Sequence, residues 1–276
     1  MSFSTARSTA VPCAWPISNT CNSQLEKPGD GLAADSGYLD PSNGELCYRS
    51  APFKPVASRD RTAFDRLQAH VSDVNYPCVM ARSVFNREAF RMSTYGRLGE
   101  PGNAEMLCRD LHEFNREFPV PVSGAVSFIA CFDGPSAVDE ASFERQLWSQ
   151  LQSLHRVDQR YCDWAPDVDS DPASPNFSFS VAERGFFVIG MHPGASRLSR
   201  RTPMPVIVFN LHEQFVELRS TGKFEGIRDT VRSRDERLQG SVNPMAADFG
   251  AGSEAAQYSG RAVSNEWKCP FHVERT

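Results

Sequence analysis

Three arginines and two serines crowd the stretch MHPGASRLSRRTP, residues 191 to 203, which lies between two apolar runs. His192, Pro193 and Gly194 force a turn off the preceding run, and Ser196, Arg197, Ser199, Arg200 and Arg201 follow at once. Guanidinium forks match carboxylates and phosphates bidentately, and each such bond contributes about 1.5–3 kcal/mol when partly buried. The loop therefore suits an anion, with a solvated basic loop as the plainer alternative; loops at strand ends are where sites tend to be built. His212 and Glu213 form a second candidate, with Glu217 four residues on and on the same helical face. Position 216 is valine, so the second histidine of a zinc-protease helix is missing. A third candidate is Cys269 in WKCPF, residues 267 to 271. Trp267 and Phe271 can shield its sulfur, Lys268 favours the thiolate, and a soft anionic sulfur in an apolar setting suits a heme iron. An ordinary buried thiol fits the same residues.

These residues need elements to hold them. A helical pattern starts at Arg59, with Phe64, Leu67 and Val71 on one stripe, and breaks at Tyr76-Pro77-Cys78. Residues 103 to 118 repeat the pattern through Leu107, Leu111, Phe114 and Phe118. GAVSFIACF, residues 124 to 132, reads as a strand, and residues 136 to 157 as a long helix with Val138, Phe143, Leu147, Leu151 and Leu154 inward. FSFSV and GFFVIGM pair as a hairpin across Ala182-Glu183-Arg184, and MPVIVFN supplies another strand. Asn210 is the expected N-cap of a following helix, and a second helix ends at Gly240. RSRDER, residues 232 to 237, reads as the exposed face of that second helix. The expectation is an α+β (mixed α/β) single domain over residues 59–276, a central sheet flanked by helices, preceded by an extended or disordered arm over residues 1–58.

Composition narrows the partners. A formal charge of −5 and a pI near 5.7 give no global attraction to nucleic acid or to an anionic membrane. Eight cysteines show no C-x-x-C spacing, which removes zinc ribbons and thioredoxin-like motifs. The first residues lack the apolar run of an export signal, so reduced thiols and a cytoplasmic location are expected. No apolar stretch approaches the roughly 20 residues of a membrane span.

GFFVIGMHPGASRLSRR, PVIVFNLHEQFVELR, LQGSVNPMAADFG, QYSGR and WKCPF, in this order, resemble the YqcI/YcgG family from about residue 60 to the end. The chain departs from the family's usual pattern at Ala195, commonly serine, and at Val216, commonly an acid. The resemblance implies a heme b protein that oxygenates nitrogen, notably the guanidine of L-arginine or a related compound in antibiotic, toxin and siderophore pathways. It implies O₂ and an external electron donor as partners, since no flavin or NAD fingerprint is present. It gives the iron an axial ligand among Cys269, His192, His212 and Cys78, with Cys269 favoured and His192 next. Arg197, Arg200, Arg201, Ser196 and Trp267 then hold the heme, and Glu213, Glu217 and His212 receive the guanidinium. An N-oxygenase of another amine, or a heme-binding sensor without turnover, is the alternative expectation.

Overall fold

Successive side chains of a strand point to opposite faces, so a continuous apolar run buries both, and the central strands of this chain do so. The computed structural model describes residues 36–42, 44–122, 124–136, 138–245 and 252–274. Its strands are β1 (Leu39–Ser42), β2 (Glu45–Tyr48), β3 (Phe90–Arg97), β4 (Ser127–Gly134), β5 (Phe179–Val181), β6 (Arg184–Met191) and β7 (Val206–Leu211). The helices are α1 (Ser58–Ser72), α2 (Val79–Asn86), α3 (Asn103–Glu117), α4 (Glu140–Asp158), α5 (His212–Ser220), α6 (Phe224–Gln239) and the short α7 (Ala255–Tyr258). All seven strands form one sheet in the order β2-β1-β3-β4-β7-β6-β5, with β3 and β4 parallel and the other pairs antiparallel. This is an α+β domain built on one mixed sheet.

The two sheet faces carry separate cores. Phe128, Ala130 and Phe132 of β4, Phe186 and Val188 of β6, and Ile207 and Phe209 of β7 point to one face, where α3, α4 and Phe271 of the C-terminal tail cover them. Ile129 and Cys131 of β4, Met191 of β6 and Val206 of β7 point to the other face, where Phe64 and Leu67 of α1 and Val84 of α2 cover them. Any group can therefore be assigned to one side of the sheet.

The hairpin β5–β6 turns through Ala182 (φ 53°) and Glu183 (φ 58°), the pair of positive φ values that a two-residue hairpin turn of primed type requires. Asp139 caps α4 by accepting the Ser142 N–H at 2.8 Å, and Gly240 ends α6 at φ 78°.

Four sequence expectations change. Residues 39–42 and 45–48, placed in the arm, are β1 and β2 at the edge of the sheet; residues 1–35 lie outside the described residues. β3 was not expected, because Arg91 and Ser93 interrupt its apolar run. Both are nonetheless buried, and Arg91 is held by Glu117 and Asp40. Asn210 is a strand residue and not a helix cap; its side chain accepts from Ser127 Oγ at 2.7 Å and donates to the Phe187 carbonyl at 3.3 Å, and Leu211 takes the cap position. Asp235, within the stretch read as an exposed face, is buried.

Candidate active site

An apolar cavity of about 280 Å³ lies on the second face of the sheet. Its floor is Ile129, Phe187, Ile189 and Val208, and Leu67, Val71, Val84 and Phe85 of α1 and α2 stand opposite, with Val231 of α6 at the side. Polar groups gather among its lining: Cys78, Tyr76, Arg200, Arg232 and Asp235.

Cys78 is the N-cap of α2, and its sulfur accepts the Ala81 N–H at 3.4 Å. Burial pushes the thiol up, while the Ala81 and Met80 backbone N–H groups and the Arg200 charge pull it back. These are the features that favour a thiolate once a cation arrives: helix N–H groups aimed at sulfur and a guanidinium nearby.

The arginine loop is only partly directed at this cavity. Arg200 lines it and donates to the carbonyls of Gly190 (2.9 Å) and Gln257 (3.3 Å). Burial lowers its pKa, against the opposing influence of Tyr76, Cys78 and Asp235. Arg197 is buried in a pair with Asp235 and also donates to Ser241 Oγ at 3.1 Å. Arg201 is exposed and donates to the Ala195 carbonyl at 2.9 Å, and Ser196 is held by Glu140. Ser196, Arg197 and Arg201, expected to bind an anion, are thus engaged within the protein.

Asp235 is the member that sequence reading missed. Its Oδ2 receives Arg197, while its Oδ1 is buried without a hydrogen-bond partner. A buried carboxylate oxygen left unsatisfied is costly, roughly 1–3 kcal/mol, and calls for a donor. The signs around it, Arg232, Arg234 and Arg237, hid it in the sequence.

The remaining expected residues lie elsewhere. Cys269 packs against the first core, behind the sheet from the cavity, and borders an open cleft of about 1070 Å³ with Trp267, Phe271 and His272. Burial pushes its thiol up to about 12, with the Phe271 backbone N–H acting the other way. Trp267 lies 6.3 Å from the Trp148 ring. His192 is buried and stacked on Phe143 of α4 at 4.2 Å, and burial holds its pKa low. Glu213 is engaged by Arg184, Glu217 is exposed on α5, and His212 shares a 2.8 Å hydrogen bond with Ser178. The Cys269 group, the arginine loop and the α5 carboxylates do not converge on one point, and the sequence had expected that they would.

Ser178 also donates to Glu254 at 2.7 Å, and Tyr258 does the same. Burial raises Glu254 to about 7. Asp248 lies outside the described residues.

Among known proteins, a Streptomyces lavendulae protein named "Putative N(omega)-hydroxy-L-arginine synthase DcsA" is 23% identical over 241 residues, covering 83% of this chain and 90% of that protein. No solved structure matches. No helix among the described residues is long and apolar enough to cross a membrane. The YqcI/YcgG family model matches residues 67–272, a span that takes in the cavity walls, the arginine loop and WKCPF; the chain belongs to the YqcI/YcgG family.

Proposed function

We propose that this protein is a heme-dependent monooxygenase that N-hydroxylates the guanidine of L-arginine, giving N-ω-hydroxy-L-arginine in specialised metabolism. One observation carries this reading: a single apolar cavity is lined both by a thiol at a helix N-terminus and by an unpartnered carboxylate oxygen. The first suits an iron and the second a guanidinium. The name of the Streptomyces relative points to the same substrate.

The donor set fits a porphyrin. Apolar side chains from sheet and helices would surround it, Cys78 would offer a soft sulfur to the iron, and Arg200 would pair a propionate. The cavity, about 280 Å³, falls just below the roughly 300–1,000 Å³ of small-molecule sites. α6, which forms the side wall, buries only Asp235 along its length. When bound, the heme supplies the activated oxygen, drawn from O₂ with two electrons and two protons from an external donor, one oxygen atom leaving as water.

The chain's own residues do the rest. Asp235 Oδ1 accepts guanidinium N–H groups and orients the substrate, held in turn by the Arg197 pair on its other oxygen. The apolar walls exclude water from the reacting nitrogen. Ser127 and Asn210 fix each other at the floor and leave it neutral.

The test is to add L-arginine to the heme-loaded protein, follow the Soret band, and analyse the product of a reductant-driven reaction by mass spectrometry. A substrate-induced spectral shift and a product heavier by one oxygen are expected. Asp235→Asn should retain heme but weaken the arginine shift at least tenfold. Equal affinity in the two proteins would remove Asp235 from the account.

A further inference from the structure

Away from the cavity, on the first face of the sheet, three side chains of different chemistry converge inside the protein. Cys108 and His112 stand one turn apart on α3, and Asp158 closes α4. All three are buried, at 0%, 9% and 3% exposure. Asp158 Oδ1 lies 2.7 Å from His112 Nε2 and 3.8 Å from Cys108 Sγ, and the three ligand atoms all fall within 4.8 Å of one another.

We propose that Cys108, His112 and Asp158 form a zinc site that pins α3 to the end of α4. In a tetrahedral site with zinc–ligand bonds of about 2.0–2.3 Å, neighbouring ligand atoms lie roughly 3.3–3.8 Å apart. The sulfur–oxygen separation already meets this, and the nitrogen–oxygen pair has to open by about half an ångström, which is within side-chain reach. One thiolate, one imidazole and one carboxylate select zinc over magnesium or calcium, which take oxygen ligands.

The surroundings are those of a built site. The Ala182 N–H donates to both oxygens of Asp158 at 3.1 Å, which fixes the carboxylate from the hairpin turn between β5 and β6. Without a cation, the Cys108 thiol is a weak donor facing a carboxylate that already accepts from this N–H and from the imidazole. Burial and the Asp158 charge both push the thiol up. A divalent ion would displace the proton and neutralise the buried negative charge. Asp158 and Cys162 border a cleft of about 480 Å³, a route by which the ion and a fourth donor can reach the site.

The site owes nothing to the heme reading, and its test reads zinc and not iron. The full chain, freed of metal by a chelator, is titrated with zinc against a chromophoric competitor. One zinc per chain is expected, with Cys108→Ala binding at least 100-fold more weakly, and X-ray absorption at the zinc edge should show one sulfur with nitrogen and oxygen neighbours. The X-ray measurement needs no variant, so a misfolded Cys108→Ala leaves the question decidable. A wild-type protein that takes up no zinc at micromolar concentration, or a zinc without sulfur neighbours, overturns the proposal.

Discussion

Two carboxylates, Asp235 and Glu254, are set apart by their surroundings. Asp235 is tied to a guanidinium, while Glu254 has hydroxyl partners and is raised to about 7 by burial. The native state thus holds the Glu254 proton more tightly than the unfolded chain, and that contribution to stability is lost as pH rises from about 4.5 to about 7. Glu254→Gln keeps an acceptor for Ser178 and Tyr258 but carries no charge. Its urea midpoint relative to wild type should climb across that window and level off above it; a difference independent of pH would show that Glu254 does not titrate there. At this scale the sequence was least legible. Cys78 could be seen as a break after Pro77, but nothing in the string placed it against Arg200. Asp235 sits among exposed charges, and its burial depends on Arg197, 38 positions away.

Helices and strands were easier to read, because each rests on a local period. Leu107, Leu111 and Phe114 on α3, and Phe143, Leu147 and Leu151 on α4, were expected inward and are fully buried. The β5–β6 hairpin was legible from its apolar flanks, although Ala182 and Glu183 lack the usual asparagine or glycine at a positive-φ turn. β3 was invisible because its Arg91 is satisfied by Glu117 of α3, a tertiary effect. α4 and α7 approach β6 closely at Gly190, where an added Cβ would lie 2.8 Å from the Tyr258 carbonyl and 2.9 Å from the Phe143 ring, besides meeting Leu147. Gly190→Ala should therefore destabilise by about 1–3 kcal/mol or more, measured by denaturant unfolding, as overpacked cores do. A neutral substitution would mean that α4 and α7 are less firmly packed on the sheet than described.

Across the whole molecule, one sheet separates two neighbourhoods that the sequence had merged. The motifs that carry the family resemblance run continuously along the chain, yet WKCPF closes the core of α3 and α4 while the arginine loop reaches round to the cavity under α1, α2 and α6. Linear order could show that these segments belong together and could not show which side each faces. On the proposed reading, that distinction favours Cys78 over Cys269 as the residue that would hold the iron. The direct measurement is the absorption spectrum of the reduced, CO-bound protein for wild type, Cys78→Ser and Cys269→Ser. A strongly red-shifted Soret band in wild type and Cys269→Ser, lost in Cys78→Ser, is the predicted result. A red shift that survives in Cys78→Ser and disappears in Cys269→Ser, or a wild type that binds no heme, would contradict it.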